Sequence, residues 1–271
     1  MRRSFASFTG WIAAATVAGI MATSAVAEPL NMRFDVYVSG LRVMKVKFDG
    51  ELKADSYSGS ASMRPKGFGG LFVKNRLDMR VQGRFNDAHA RPVSFWLKSR
   101  KKKKEREATL RWTKGASTPE WSRKPPVSDA ARREIDAAIA NGAIDPLSLL
   151  FAIGRRQAAN PCTGKVRIFD GRTVFDLRLA SVGRDAIRNM NYSGPALKCR
   201  LVYVPVAGMS EKKKRKRLKN PPVFTVWLAR VHSAAGPVHV PVQASGRMKG
   251  RPFTATLSDA LLGGKPLRAA R

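Results

Sequence analysis

Cysteine and histidine are scarce in this chain. Two cysteines and three histidines among 271 residues are too few for the multi-cysteine zinc sites and iron–sulfur clusters that gather four soft ligands in one place. Acid is scarce as well: 19 Asp and Glu stand against 51 Lys and Arg, for a formal net charge of +32. Beyond the first 27 residues no segment is long and apolar enough to supply the ~20 residues that a membrane-spanning helix requires. The chain has no Gly-x-Ser-x-Gly elbow, no His-Glu-x-x-His, no phosphate-binding loop and no Gly-x-Gly-x-x-Gly after a strand pattern. Gly67-Phe68-Gly69-Gly70 lacks a following Lys-Ser or helix and reads as a turn. These absences give the expectation of a protein that is not an enzyme and uses no cofactor and no metal. Hydrophobic residue is not scarce, at 44% of the chain, which excludes a disordered tail and supports a folded core.

Residues 1–27 have the organisation of a secretory signal peptide. Arg2 and Arg3 form the basic start, Trp11 to Thr23 the apolar stretch, and Ala25-Val26-Ala27 the small-residue cleavage pattern. About 13 apolar residues are too short for an anchor, and no cysteine at the cleavage site offers a lipid attachment point. The expected product is residues 28–271, a single soluble domain exported to a periplasm after cleavage behind Ala27. Losing two arginines and no acid leaves it at +30. In an oxidising compartment Cys162 and Cys199, 37 positions apart, are expected to form a structural disulfide. Redox pairs are normally separated by two residues, and this pair is not.

The pattern of the mature chain is mostly period two. Arg33–Val38 and Val43–Phe48 alternate apolar and polar residues around Ser39-Gly40, as half-buried strands do. Further strands are expected at 56–63, 76–85, 92–99 and 108–114. After residue 162 they resume at 166–169, 173–179, 196–204, 223–229, 238–244 and 252–257. Between the two sets the period changes. Ser128 caps an alanine-rich helix carrying Ile135 and Ile139 and stopped by Asn141-Gly142; Asp145-Pro146 opens a second with Leu147, Leu150, Phe151 and Ile153 on its apolar face. The expected fold is mainly β: a highly curved antiparallel sheet or incomplete β-barrel, since closure limits exposed edges. A short helical cover is expected at about residues 128–159.

Several phrases resemble an uncharacterised family of bacterial periplasmic proteins built on a domain of unknown function. They are Phe34-Asp35-Val36-Tyr37-Val38-Ser39-Gly40-Leu41, Asp145-Pro146-Leu147-Ser148, Pro161-Cys162 with Phe169-Asp170-Gly171-Arg172, Gly194-Pro195-Ala196 before Cys199-Arg200, and Tyr203-Val204-Pro205-Val206-Ala207-Gly208. The resemblance implies a β-rich, curved architecture similar in plan to periplasmic lipoprotein carriers and to β-spiral proteins of envelope integrity. It implies no enzymatic activity.

The two basic runs are the strongest local signal. Lys101, Lys102, Lys103 and Lys104, flanked by Arg100 and Arg106, lie between expected strands. Lys212, Lys213, Lys214, Arg215, Lys216 and Arg217, followed by Lys219, lie between two others. Each is read as a hairpin loop, either merely solvated or meeting an anionic envelope surface, because nearby charges add their fields. Export and the absence of interleaved aromatics argue against nucleic acid. His232 and His239 are placed to face each other across a hairpin, yet no third ligand accompanies them. Asp35, Asp49, Asp170 and Asp176 are the carboxylates considered for acid–base roles, and turn or strand-edge duties explain them equally well. Phe34, Val36, Val38, Phe48, Phe95, Leu97, Phe175, Leu177, Val226 and Leu228 line a concave face that fills a core or encloses an acyl chain. Trp96, Trp112, Trp121 and Trp227 would border its mouth. The expected role is envelope maintenance by binding a lipid-like or apolar ligand. The alternatives are an interaction protein with no ligand cavity and, last, a hydrolase without a recognisable motif. Oligomeric state is not readable from the sequence.

Overall fold

Alternation of dry and wet side chains is realised along nearly the whole chain. The computed structural model describes residues 27–67, 75–87, 89–155, 161–189, 191–234, 236–248 and 250–268. Nearly all of the signal segment, part of the Gly67–Gly70 turn and the last residues of the expected second helix lie outside the described residues. In β1 (Glu28–Val38) Leu30, Met32 and Val36 are buried, and in β2 (Leu41–Leu52) Val43, Phe48 and Leu52 are. The first meander continues through β3 (Ser56–Pro65), β4 (Asn75–Asn86), β5 (His89–Lys101), β6 (Lys104–Arg111) and β7 (Glu120–Lys124). After two helices, a second meander runs through β8 (Gly164–Phe169), β9 (Val174–Asn189), β10 (Tyr192–Ala207), β11 (Val223–Ser233), β12 (Gly236–Met248) and β13 (Arg251–Leu262). A short β14 (Lys265–Pro266) pairs with β13.

The meanders fuse where the two ends of the chain meet. β1 pairs antiparallel with β13, Leu30 opposite Leu262 and Val36 opposite Ala255. The result is one 14-stranded antiparallel sheet whose outer strands, β7 and β8, do not pair with each other. This is the curved, unclosed sheet that the sequence pattern predicts. β7 and β14 are additions to the expected strands, because five and two residues are too short to show a period.

A connector seals the gap between the edges. Ile144 pairs in parallel with Ile168, its amide donating to the Arg167 carbonyl at 3.1 Å and its carbonyl accepting from Phe169 at 2.9 Å. From the other edge, Trp112 Nε1 donates to the Ala143 carbonyl at 3.3 Å. Trp121 of β7 meets Phe169 of β8 edge to face, ring centroids 5.3 Å apart. Helix α1 (Asp129–Ile139) lies along this seam with Ile135 and Ile139 buried, and its Asp136 accepts from Trp121 Nε1 at 2.7 Å. The start of α1 is where the sequence predicts it, with Ser128 Oγ accepting from the Ala131 amide as an N-cap does.

Helix α2 (Pro146–Arg155) is not a lid over one face. It contacts β3, β4 and β5 of the first meander and β8 and β12 of the second, so it occupies the hollow of the curved sheet. Leu147, Leu149, Phe151 and Ile153 are all buried, because a helix surrounded by strands is apolar on most of its circumference. Phe151 stacks on Tyr57 at 4.4 Å and packs against Phe48 at 5.8 Å. The start of the helix is fixed by Asp145, fully buried. Its Oδ1 accepts the amides of Leu147 and Ser148 at 2.9 and 2.8 Å. Its Oδ2 accepts from Ser148 Oγ, which in turn shares a hydrogen bond of 2.8 Å with Tyr57 Oη.

Burial is the largest influence on Asp145 and raises its pKa from 3.8 to about 6, against the opposing hydrogen bonds of Ser148 and Leu147. The folded protein therefore binds a proton that the unfolded chain has already released between pH 4 and 6. The contribution of Asp145 to stability is greatest below that window and falls as pH rises through it, by about 3 kcal/mol in total. Asp145→Asn cannot ionise. Urea unfolding of both proteins at pH 4 and pH 7 is expected to shift the stability difference by about this amount in favour of asparagine at the higher pH. A difference independent of pH would show an unshifted carboxyl.

Candidate anion-binding site

The hollow of the sheet offers little space. The apolar void beside α2, between Leu30, Phe48, Phe151 and Val240, has a volume of about 30 Å³, against the roughly 300–1,000 Å³ of ligand cavities. Core filling is thus the fate of the apolar faces among the described residues. Nor do the tryptophans gather at one mouth: Trp96 lines one surface concavity of about 660 Å³ and Trp112 another of about 690 Å³. Trp112 and Trp121 are buried, and the Nε1 of Trp96 and of Trp227 donates to Glu107 and to Asp185, each at 2.7 Å.

The candidate site is outside, at the turn between β5 and β6. Lys101 and Lys104 close the hairpin as its last pair, and Lys102 takes a positive φ of 53°, so this run is the loop that the sequence predicts. Beyond it, strand alternation separates the charges of β6 by sign. Glu105 points to one face, bound to Lys98 and Arg100 at 2.7 Å each, and Glu107 on the same face accepts from Trp96. Arg106 points to the other face, the face of the buried Ala108. Arg123 of β7 stands opposite Ala108 and shares that face.

The turn between β8 and β9 is seated against it. A Cβ on Gly171 would collide with the Ala108 methyl, so only glycine permits the approach. Asp170 holds the turn, Oδ1 accepting the amides of Arg172 and Thr173 at 2.8 and 2.7 Å, and presents Arg172 to the same basin. Burial pulls the Arg123 pKa down, with Arg106 and then Arg172 adding to the effect. The concavity, about 990 Å³, is lined by Lys101 to Lys104, Arg106 and Arg172 with Asn75 and Ser99, and no carboxylate.

The second basic run approaches the same turn from the other side. It is not a hairpin loop but α3 (Glu211–Lys219). Lys and Arg are good helix formers, Glu211 lies in the first turn, and Lys216, Arg217 and Lys219 in the last complement the dipole. Arg217 lies over the Tyr203 ring at 5.1 Å, and Lys214 reaches Glu134 of α1 at 3.6 Å. Gly208, just before the helix, leaves no room for a Cβ beside the Arg172 carbonyl. Lys212, Lys213, Arg215 and Lys216 are exposed. Turn 170–173 therefore joins two basic segments more than 100 positions apart.

The other candidate residues find separate places. Cys162 and Cys199 are bonded, Cα atoms 5.6 Å apart, tying the segment after α2 to β10. His232 stands opposite Pro237 and His239 opposite Arg230, so the two histidines are not cross-strand partners as the sequence suggested. No group of three metal-ligating side chains occurs among the described residues. Asp49 binds Arg33 and Asn31, Asp176 binds Arg167, and Asp35 meets Arg42. Sequence reading missed Arg123 and Arg172 as site members. Strand alternation could have put Arg106 on the face of Ala108, but bringing the other two there required the register of β7 and the seating of a distant turn.

Residues 33–257 match DUF3108, a protein family of unknown function. The chain belongs to this family. Among solved structures, this DUF3108 chain is similar to a crystal structure described as a beta-barrel-like protein of domain of unknown function DUF1849 from Brucella abortus, with a TM-score of 0.49 and 10% identity over 86% of this chain and 97% of that one. No curated protein matches it. Among the described residues no helix is long and apolar enough to cross a membrane.

Three clustered guanidinium groups repel one another, the nearby Asp170 carboxylate offsets that repulsion in part, and dissolved salt screens what remains. Arg123→Gln is expected to raise the urea midpoint at low ionic strength, by roughly 0.5 kcal/mol in stability, and to lose that gain in 1 M sodium chloride. A loss of stability at low salt would show that Arg123 holds an intramolecular partner.

Proposed function

We propose that this DUF3108 protein is a non-enzymatic, exported protein of the bacterial envelope that binds anionic lipid at its basic end. The observation carrying this reading is the concavity at turn 170–173, lined by Lys101 to Lys104, Arg106 and Arg172 with Asn75 and Ser99 and no carboxylate, with the chain just before the second basic segment packed against the same turn at Gly208. Each cation close to an anionic membrane surface contributes about 1 kcal/mol, so a cluster of this size suffices for reversible docking. The signal-like start of the chain, Arg2 to Ala27, supports export. The filled hollow favours contact with lipid headgroups over enclosure of an acyl chain.

Co-sedimentation with vesicles tests this. Phosphatidylcholine vesicles containing phosphatidylglycerol should bind the protein, pure phosphatidylcholine should not, and 0.5 M salt should release it. Replacing Lys101 to Lys104 by glutamine should weaken binding at least tenfold. Equal binding to neutral and anionic vesicles would contradict the proposal.

A further inference from the structure

We propose that Arg106, Arg123 and Arg172 form a specific recognition site for a phosphomonoester group. This rests on the reading of the basic end as an anion-binding surface and adds the chemistry that the surface selects.

The first observation is a contrast within the same sheet. Arg33 pairs with Asp49, Arg64 with Asp78, Arg100 with Glu105 and Arg167 with Asp176. Acid is scarce in this chain, yet strand alternation delivers it to those arginines. Arg106, Arg123 and Arg172 have no ion-pair partner among the described residues, as holds for other strand arginines such as Arg84, Arg178 and Arg200. What sets the three apart is that they gather at one place. β6 carries two glutamates, and both face away from Arg106. Asp170, which accepts the amides of its own turn, acts on Arg123 and Arg172 through its field but forms no ion pair with either, so one carboxylate stands against three guanidinium groups.

The second observation is placement. The three guanidinium groups rise from supports of different kinds: a strand interior, an edge strand and a turn braced by Asp170 and Gly171. Such a frame holds like charges together that would otherwise separate in water. Planar guanidinium forks match phosphate oxygens in bidentate fashion. A monoester presents three terminal oxygens and close to two charges above its second pKa of about 6, one oxygen for each arginine. A phosphodiester presents two such oxygens and one charge. Lys101 to Lys104 line the concavity together with Arg106 and Arg172 and add attraction without geometric preference.

The test compares phosphatidic acid, a monoester, with phosphatidylglycerol, a diester, in phosphatidylcholine vesicles matched for surface charge at pH 8. Binding to phosphatidic acid is expected to be at least tenfold tighter. Arg123→Gln and Arg106→Gln should each reduce it to the phosphatidylglycerol level, with circular dichroism confirming the fold. Lys212→Gln with Lys213→Gln should lower binding to both vesicles alike. Glycerol 3-phosphate titrated by calorimetry separates the sources of the group. Arginine-dependent binding of the soluble ester without any vesicle binding would keep the site and overturn the membrane reading. Equal affinity for the two lipids, both lost at high salt, would overturn the monoester site and leave the membrane reading standing.

Discussion

The structure depends on a buried carboxylate. Asp145 sits at the start of α2 in the interior of the sheet, and its two oxygens organise the first turn of the helix and, through Ser148, the hydroxyl of Tyr57 on β3. Without a capping acceptor the first amides of α2 would be orphaned in an apolar interior, at about 1–3 kcal/mol each. With it, a helix can end inside the sheet, and the sheet needs no further closure to exclude water. The same connector that delivers Asp145 also lays Ile144 against β8. Filling the hollow and sealing the seam are therefore consequences of one short stretch, residues 143–148.

A filled hollow moves the question of function outward. A sheet that curls around its own helix presents binding chemistry only on its outer faces, ends and turns. Here the strands sort charge by face, pairing the few acids with arginines along the open face and leaving the end near turn 170–173 cationic. The repulsion this creates is a small destabilisation, of a size that a folded domain with 5–15 kcal/mol of net stability accommodates. It also defines a surface whose natural complement is an anion.

Much of the fold was legible in the sequence because its signals are local. The alternation in Arg33–Val38 and Val43–Phe48, the Ser128 cap and the Asp145-Pro146 start each depend on neighbouring residues, and each is found where the pattern places it. β7 escaped because Glu120–Lys124 is too short for a period to show. α3 escaped because a run of lysines carries no apolar face to mark a helix. The candidate site was half legible. Lys101 to Lys104 announce a basic loop, but the convergence of Arg106, Arg123 and Arg172 follows from strand register and from a glycine turn seated against a distant strand. Those are contacts between remote segments, and periodicity does not encode them.

Hydrogen–deuterium exchange of the protein, with and without phosphatidic acid vesicles, addresses the central claim most directly. The claim is that α2 stays in the hollow while the basic end does the binding. The account predicts new protection at residues 101–106, at turn 170–173 and in α3, with exchange in α2 unchanged. Loss of protection across Pro146–Arg155 on adding lipid would contradict it, since the helix would then be leaving the sheet to admit an acyl chain.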